Sequence, residues 1–147
     1  MISSEDWLVA LATGLVIVLC VLVHFEGLRI ISDRLPKPKW HPRRRMIFLI
    51  LAMLALHVLE VWIFGVSYFF LIGYEGYGSL HGVENANLID CIYFSATVFS
   101  TVGFGDIYPV GAIRIMTGTE AIAGLTLITW SASYTFVEML KTWQDDD

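Results

Sequence analysis

The sequence predicts an all-α membrane protein, with three spanning helices and one shorter helix that enters and leaves the bilayer by the same face. Three observations predict it. Of 147 residues, 56% are hydrophobic and only 16% charged, with a mean hydropathy of +0.68. A soluble domain carries roughly 25% charged residues, so a water-soluble globule, a disordered chain, a collagen-like fibre and a nucleic-acid binder drop out. The apolar residues fall into long runs, Trp7–Ile31, Met46–Gly73 and Ala112–Leu140, and each exceeds the roughly 20 residues that a spanning helix needs. Charge is also segregated. The net charge of −5 conceals a basic cluster of Arg29, Arg34, Lys37, Lys39, Arg43, Arg44 and Arg45, seven of the nine Lys and Arg. The acids gather elsewhere, at Glu5, Asp6, Glu75, Glu84 and Asp145 to Asp147.

The elements follow in chain order. Trp7–Ile31 is too long for a signal-peptide core and has acids rather than bases before it, so it is expected to be retained. Pro36, Pro38 and Pro42 break the basic segment that follows, residues 32–45. Basic loops stay in the cytoplasm, which places the N-terminus outside, residues 73–113 outside and the C-terminus inside a multi-pass cell-membrane protein. Trp7, Tyr68 and Tyr74 are expected as outer interface anchors, and Trp40 and Trp143 as inner ones. His24, Glu26 and Arg29 are expected to snorkel to the inner interface. Cys20 and Cys91 lack metal or redox spacing and are expected to be free thiols.

The outer helix, residues 46–73, leads into a Gly-rich polar turret, residues 74–87. The apolar stretch Leu88–Ser100 is too short to cross. Thr101-Val102-Gly103-Phe104-Gly105-Asp106 comes next, and non-helical backbone at membrane depth is tolerated only when buried in protein or lining a watery cavity. A short helix, a glycine-punctuated hexapeptide and a return to the outer face describe a pore loop. The inner helix is expected over residues 112–141.

The segment Ala96–Asp106 resembles the signature of potassium channels, whose filter is commonly written TVGYGD, and its flanks resemble the pore domain of prokaryotic two-transmembrane-type channels. The likeness runs from Met46 to Lys141, so residues 1–45 form an additional helix and basic loop before a pore domain at residues 46–147. The resemblance implies a potassium-selective channel, not an enzyme, with K+ as permeant ligand and no cofactor. Such filters replace the ion's water shell by rings of backbone carbonyls from four loops, so a homotetramer is expected. Thr101, Val102, Gly103, Phe104 and Gly105 would form the filter, with K+ at Thr101, Val102, Gly103 and Phe104. Aligned carbonyls need alternating backbone with some positive φ, which Gly103 and Gly105 supply. Val102 and Phe104 would point away from the axis and pack behind the filter.

Asp106, Thr97, Ser100 and Glu120 are expected as filter support. Phe104 stands where the family usually has Tyr, and so lacks its hydroxyl donor. Tyr93 and Phe94 stand where many members have a Trp pair. Thr97 stands where one bacterial branch has Glu, so Asp106 lacks that carboxylate partner. With Glu75 and Glu84, Asp106 would make an acidic mouth that concentrates cations. Gly124 lies near the family's glycine hinge, with close helix packing as the alternative. Leu125, Ile128, Ala132, Phe136 and Leu140, with Ser133 beside them, are expected to line the inner cavity or gate, against helix or lipid contact as the alternative.

His57 and Glu60 share a helix face and suit either a structural pair, a proton sensor or a metal ligand set. No span carries the regular basic residues of a voltage sensor. Six residues follow Lys141, too few for a regulatory domain, so gating is expected from the filter, inner helices, lipid, protons or an unidentified regulatory partner. The alternatives are a weakly selective cation channel, a non-conducting membrane sensor or subunit with a pore-like fold, and a metal protein or enzyme using His24, His57 and His81. The last is disfavoured because the histidines lack ligand spacing and the topology spreads them over different depths.

Overall fold

The computed structural model describes residues 4–34 and 41–144. The order is α1 (Ser4–Arg34), α2 (Pro42–Ile72), β1 (Ser79–His81), α3 (Leu88–Phe99), β2 (Tyr108–Val110) and α4 (Arg114–Gln144). Lys37, Lys39, Trp40 and the prolines at 36 and 38 lie outside the described residues, as do the terminal acids at 145–147.

Among the described residues, α1 and α2 are the helices long and apolar enough to cross a membrane. Both are apolar on every face, the pattern of a span or a deeply buried helix. Leu11, Leu15, Leu22, Leu51 and Leu54 stay exposed, which a bilayer would cover. α2 begins at Pro42, so Arg43, Arg44 and Arg45 belong to its first turn rather than to a loop. Proline suits that place because its missing N–H has no helical partner there. α4 is equally long, at 31 residues, yet is not among the span candidates, because Thr117, Thr119, Glu120, Thr126, Thr129, Ser131 and Ser133 dilute its hydropathy.

α3 packs most extensively on α2, and α1 lies against both α2 and α4. The main core joins Phe64 and Tyr68 of α2, Phe94 and Phe99 of α3, and Met116 and Leu127 of α4. A smaller cluster of Leu28, Leu49 and Met53 closes the other end. β1 and β2 pair antiparallel, with Leu80 opposite Pro109. They tie the turret to the segment after the hexapeptide, and Ile113 N–H donates to Tyr77 O at 2.9 Å to fix the start of α4. This small sheet is an addition to the all-α expectation: strands of three residues are too short to show a period of two. Cys20 and Cys91 are free and buried.

Candidate functional site

Asn87 opens α3 by accepting from the backbone N–H of Ile89 at 2.8 Å and of Asp90 at 3.2 Å, while Asp90 accepts from Asn87 N–H at 2.9 Å. This reciprocal cap satisfies donors that the first turn leaves open. At the other end Thr101 N–H donates to Val98 O at 2.9 Å and Gly103 N–H to Thr97 O at 3.0 Å. The hexapeptide is thereby anchored to the C-terminal end of α3, where the helix dipole is negative.

Along it, φ is +60° at Thr101, +54° at Gly103 and +80° at Gly105. Positive φ thus recurs at every second residue. Thr101 joins the two glycines in this, although a β-branched residue there is unusual. A Cβ at Gly103 or Gly105 would meet nothing within 4 Å, so their requirement is conformational, not steric. Residues 101–106 are exposed throughout. Val102 is 56% and Phe104 70% exposed, so within one chain neither is packed behind the loop.

The supporting side chains are distributed as follows. Glu120 is fully buried and accepts from Ser95 at 2.5 Å and from Tyr68 at 2.6 Å. Ser95 also reaches Val61 O at 2.9 Å, so α2, α3 and α4 meet at one carboxylate. Tyr68 corrects the expectation of an interface anchor: its ring is buried edge-on to Phe94, 5.1 Å between centroids, and its hydroxyl has Glu120 as partner. Trp7, Tyr74 and Trp143 are exposed. Thr97 is buried and returns its hydroxyl to Phe94 O at 2.8 Å, and Ser100 returns its own to Ala96 O at 2.6 Å. Neither reaches Asp106. Asp106 instead accepts from the Tyr93 hydroxyl at 2.8 Å. That bond holds the Asp106 carboxyl below the usual carboxylate range and pushes the Tyr93 phenol up. Asp106 therefore has a brace that the missing carboxylate at position 97 gave no hint of.

Gly124 lies against the backbone of Phe99, and a Cβ there would run into Phe99 O. Close packing of α3 on α4 is its evident role. Leu125, Ala132, Ser133, Phe136 and Leu140 are exposed on a single chain, whereas Ile128 is half-buried against the core. The predicted stripe is thus turned to one side. The open face of α4 also carries Thr126 and Thr129, whose hydroxyls return to Ile122 O and Leu125 O at 2.8 and 2.9 Å. Sequence reasoning passed over both, although the Thr126, Thr129, Ser133 spacing of three and four carries the signal.

His24 corrects another expectation. It does not snorkel: it is fully buried, with Nδ1 2.7 Å from Glu60 Oε1. His57 Nδ1 lies 2.9 Å from Glu60 Oε2, and the two imidazoles stack at 5.6 Å. They share one depth rather than being spread apart. Glu26 and Arg29 do remain exposed, as a pair at 3.0 Å.

Comparison with known proteins accords with this geometry. The profile of a family described as an ion channel matches residues 56–141, more than half of the chain. Voltage-gated potassium channel Kch of Escherichia coli (strain K12) is 34% identical over 82 residues, 52% of this chain and 20% of that protein. Potassium channel protein kcv of Paramecium bursaria Chlorella virus 1 is 43% identical over 58 residues, 39% of this chain and 61% of that protein. The chain thus spans a fifth and about three-fifths of these relatives' lengths. No solved structure gives a match. The relatives are ion channels, not enzymes, and the short capped helix, the alternating loop and all but the last turn of the returning α4 fall inside the matched segment. This chain belongs to the ion channel family.

Proposed function

We propose that the protein is the subunit of a homotetrameric, potassium-selective channel in which K+ moves passively through rings of carbonyls from Thr101 to Gly105. The observation that carries this reading is the recurrence of positive φ at Thr101, Gly103 and Gly105. Alternation of this kind is what turns successive carbonyls to one side of a strand. Four loops are needed to replace an ion's hydration shell, so one chain supplies a quarter of the site. Exposed Val102 and Phe104 would then be covered by neighbouring subunits.

In the same reading α1, α2 and α4 span the membrane, α3 is re-entrant, and residues 46–147 form the pore domain. The basic segment and C-terminus face the cytoplasm, and the N-terminus faces outward. The negative end of α3 favours a cation beneath the filter. Asp106, Glu75 and Glu84 make the outer mouth acidic. Thr126, Thr129 and Ser133 offer a polar face to a watery cavity, with Phe136 as a hydrophobic constriction that gates by dewetting. A weakly selective channel is the second reading, because Phe104 lacks the hydroxyl that a tyrosine would supply.

The test is flux into liposomes holding the purified protein, potassium against sodium, with Gly103→Ala beside the parent. Alanine at a left-handed position costs about 1–2 kcal/mol per residue, hence about 4–8 kcal/mol over four loops. Potassium flux should exceed sodium flux, and Gly103→Ala should abolish it. Equal fluxes would favour the weakly selective reading. Absent flux in every condition would favour a non-conducting subunit, and a monomeric mass in detergent would remove the fourfold filter altogether.

A further inference from the structure

The cluster of His24, His57 and Glu60 is the one place among the described residues where three metal-ligating side chains converge, their ligand atoms all within 4.8 Å of one another. Two imidazoles and one carboxylate form the ligand set that holds zinc in many catalytic sites, with a fourth position left for water. The set is soft enough for zinc-class ions and too poor in oxygens for magnesium or calcium. The three side chains come from two helices: His24 from α1, and His57 with Glu60 from α2.

We infer that this cluster binds a single zinc-class divalent cation, which staples α1 to α2. Both histidines already present Nδ1 toward the carboxylate, at 2.7 and 2.9 Å. Tetrahedral ligands on zinc stand about 3.3 Å apart, given bonds near 2.0–2.1 Å, so both nitrogen–oxygen contacts would open by about half an ångström, while the ligand atoms, all within 4.8 Å of one another, would draw in around the ion. Metal-bound histidines characteristically donate their second ring N–H to an outer partner. His24 has one in place: Ser131 Oγ of α4 lies 3.5 Å from Nε2. Trp130 also tilts against His24 at 5.1 Å. A cavity of about 370 Å³ reaches one member of the cluster, with His57, Ser131, Ala132 and Phe136 in its lining. The histidine on α1 lies outside the segment that matches the ion channel family. The metal would therefore join the additional helix to the pore-bearing part, and the inference stands whether or not the loop conducts.

The test uses untagged protein in detergent, stripped with a chelator and titrated with Zn2+ and with Co2+. One ion should bind per chain, and cobalt should show the intense visible absorption of a four-coordinate site. His57→Ala, His24→Ala and Glu60→Gln should each weaken binding by at least ~100-fold, and Ser131→Ala by ~10-fold, as outer partners do. His41→Ala and His81→Ala should leave it unchanged. If Glu60→Gln fails to fold, Ser131→Ala carries the test, since it keeps all three ligands. Substoichiometric zinc, or binding indifferent to His57→Ala, would overturn the inference. So would loss of binding in His81→Ala.

Discussion

Replacing Glu120 by alanine should loosen the junction of α2, α3 and α4. The carboxylate is fully buried and accepts two hydroxyl hydrogen bonds, from Ser95 at 2.5 Å and Tyr68 at 2.6 Å. A buried hydrogen bond of this kind contributes about 0.5–1.5 kcal/mol net. Both hydroxyls have a second contact, Ser95 with Val61 O at 2.9 Å and Tyr68 with Thr117 Oγ1 at 3.2 Å. Neither hydroxyl is therefore left without a partner, and the loss is about 2 kcal/mol for both bonds. At about 2–4 °C per kcal/mol, the melting temperature of the purified protein should fall by about 4–8 °C. Glu120→Gln keeps the shape and one acceptor oxygen, so its loss should be about half as large. Thermal unfolding in detergent, followed by tryptophan fluorescence and by the fraction eluting undamaged from a sizing column, reads both variants. The reasoning fails if Glu120→Ala melts with the parent. It fails equally if Glu120→Gln is as stable as the parent, because the hydrogen bond that the amide gives up would then contribute nothing to the junction.

The other expectations concern single contacts. Asp106 is held below the usual carboxylate range by Tyr93, so its stabilising contribution is complete above the ordinary carboxylate pKa and is lost as pH falls through the lowered value. Tyr93→Phe should move that acid loss to higher pH, seen in the Asp106 carboxyl titration by NMR and in flux against external pH. Gly124→Ala should cost about 1–3 kcal/mol by overpacking, because its Cβ has only the Phe99 backbone to meet. Gly118→Ala, with open space at its Cβ, should melt at or slightly above the parent, since Gly in a helix interior costs about 0.5–1 kcal/mol relative to Ala. Asn87→Ala removes the acceptor that caps α3, and the same melting assay should show a loss of about 1 kcal/mol.

What the sequence makes legible is what depends on neighbours in the chain. The long apolar runs, the short apolar helix and the glycine-punctuated loop each announce themselves locally. Helix ends are less legible, because hydropathy stops at a charge and a helix does not: Arg43 to Arg45 lie in the first turn of α2. Burial of Tyr68 and His24 is illegible for a different reason. A helix apolar on all faces gives no sign of which face turns inward, so partners 52 and 36 residues away depend on how whole helices rotate against one another. The Tyr93 to Asp106 bond spans only 13 residues, yet it depends on the loop folding back over α3. Even the stripe on α4 turns on this point, for it is the packing of Gly124 on Phe99 that sets the helix's rotation and swings Ile128 toward the core.

That rotation is held at three heights on α4. Glu120, Ser131 and Glu138 are all buried, and their spacings of 11 and 7 residues approximate three and two helical turns, so they share one face. Glu120 meets α2 and α3, Ser131 faces His24 of α1, and Glu138 pairs with Arg45 of α2 at 2.8 Å and with Lys141 at 2.7 Å. The first contact lies about 16 Å above the second and the second about 10 Å above the third. Turning α4 about its own axis would pull all three faces away together and leave buried polar groups without partners, which is costly. Bending it below Ser131 would strain the third, and with it the packing of Tyr134 on Leu28, Leu49 and Met53, while Lys141 would travel with Glu138. The face that Gly124 fixes is therefore held at the level of the loop and again near the C-terminal end of α4, where Phe136 and Leu140 stand on either side of the Glu138 tie.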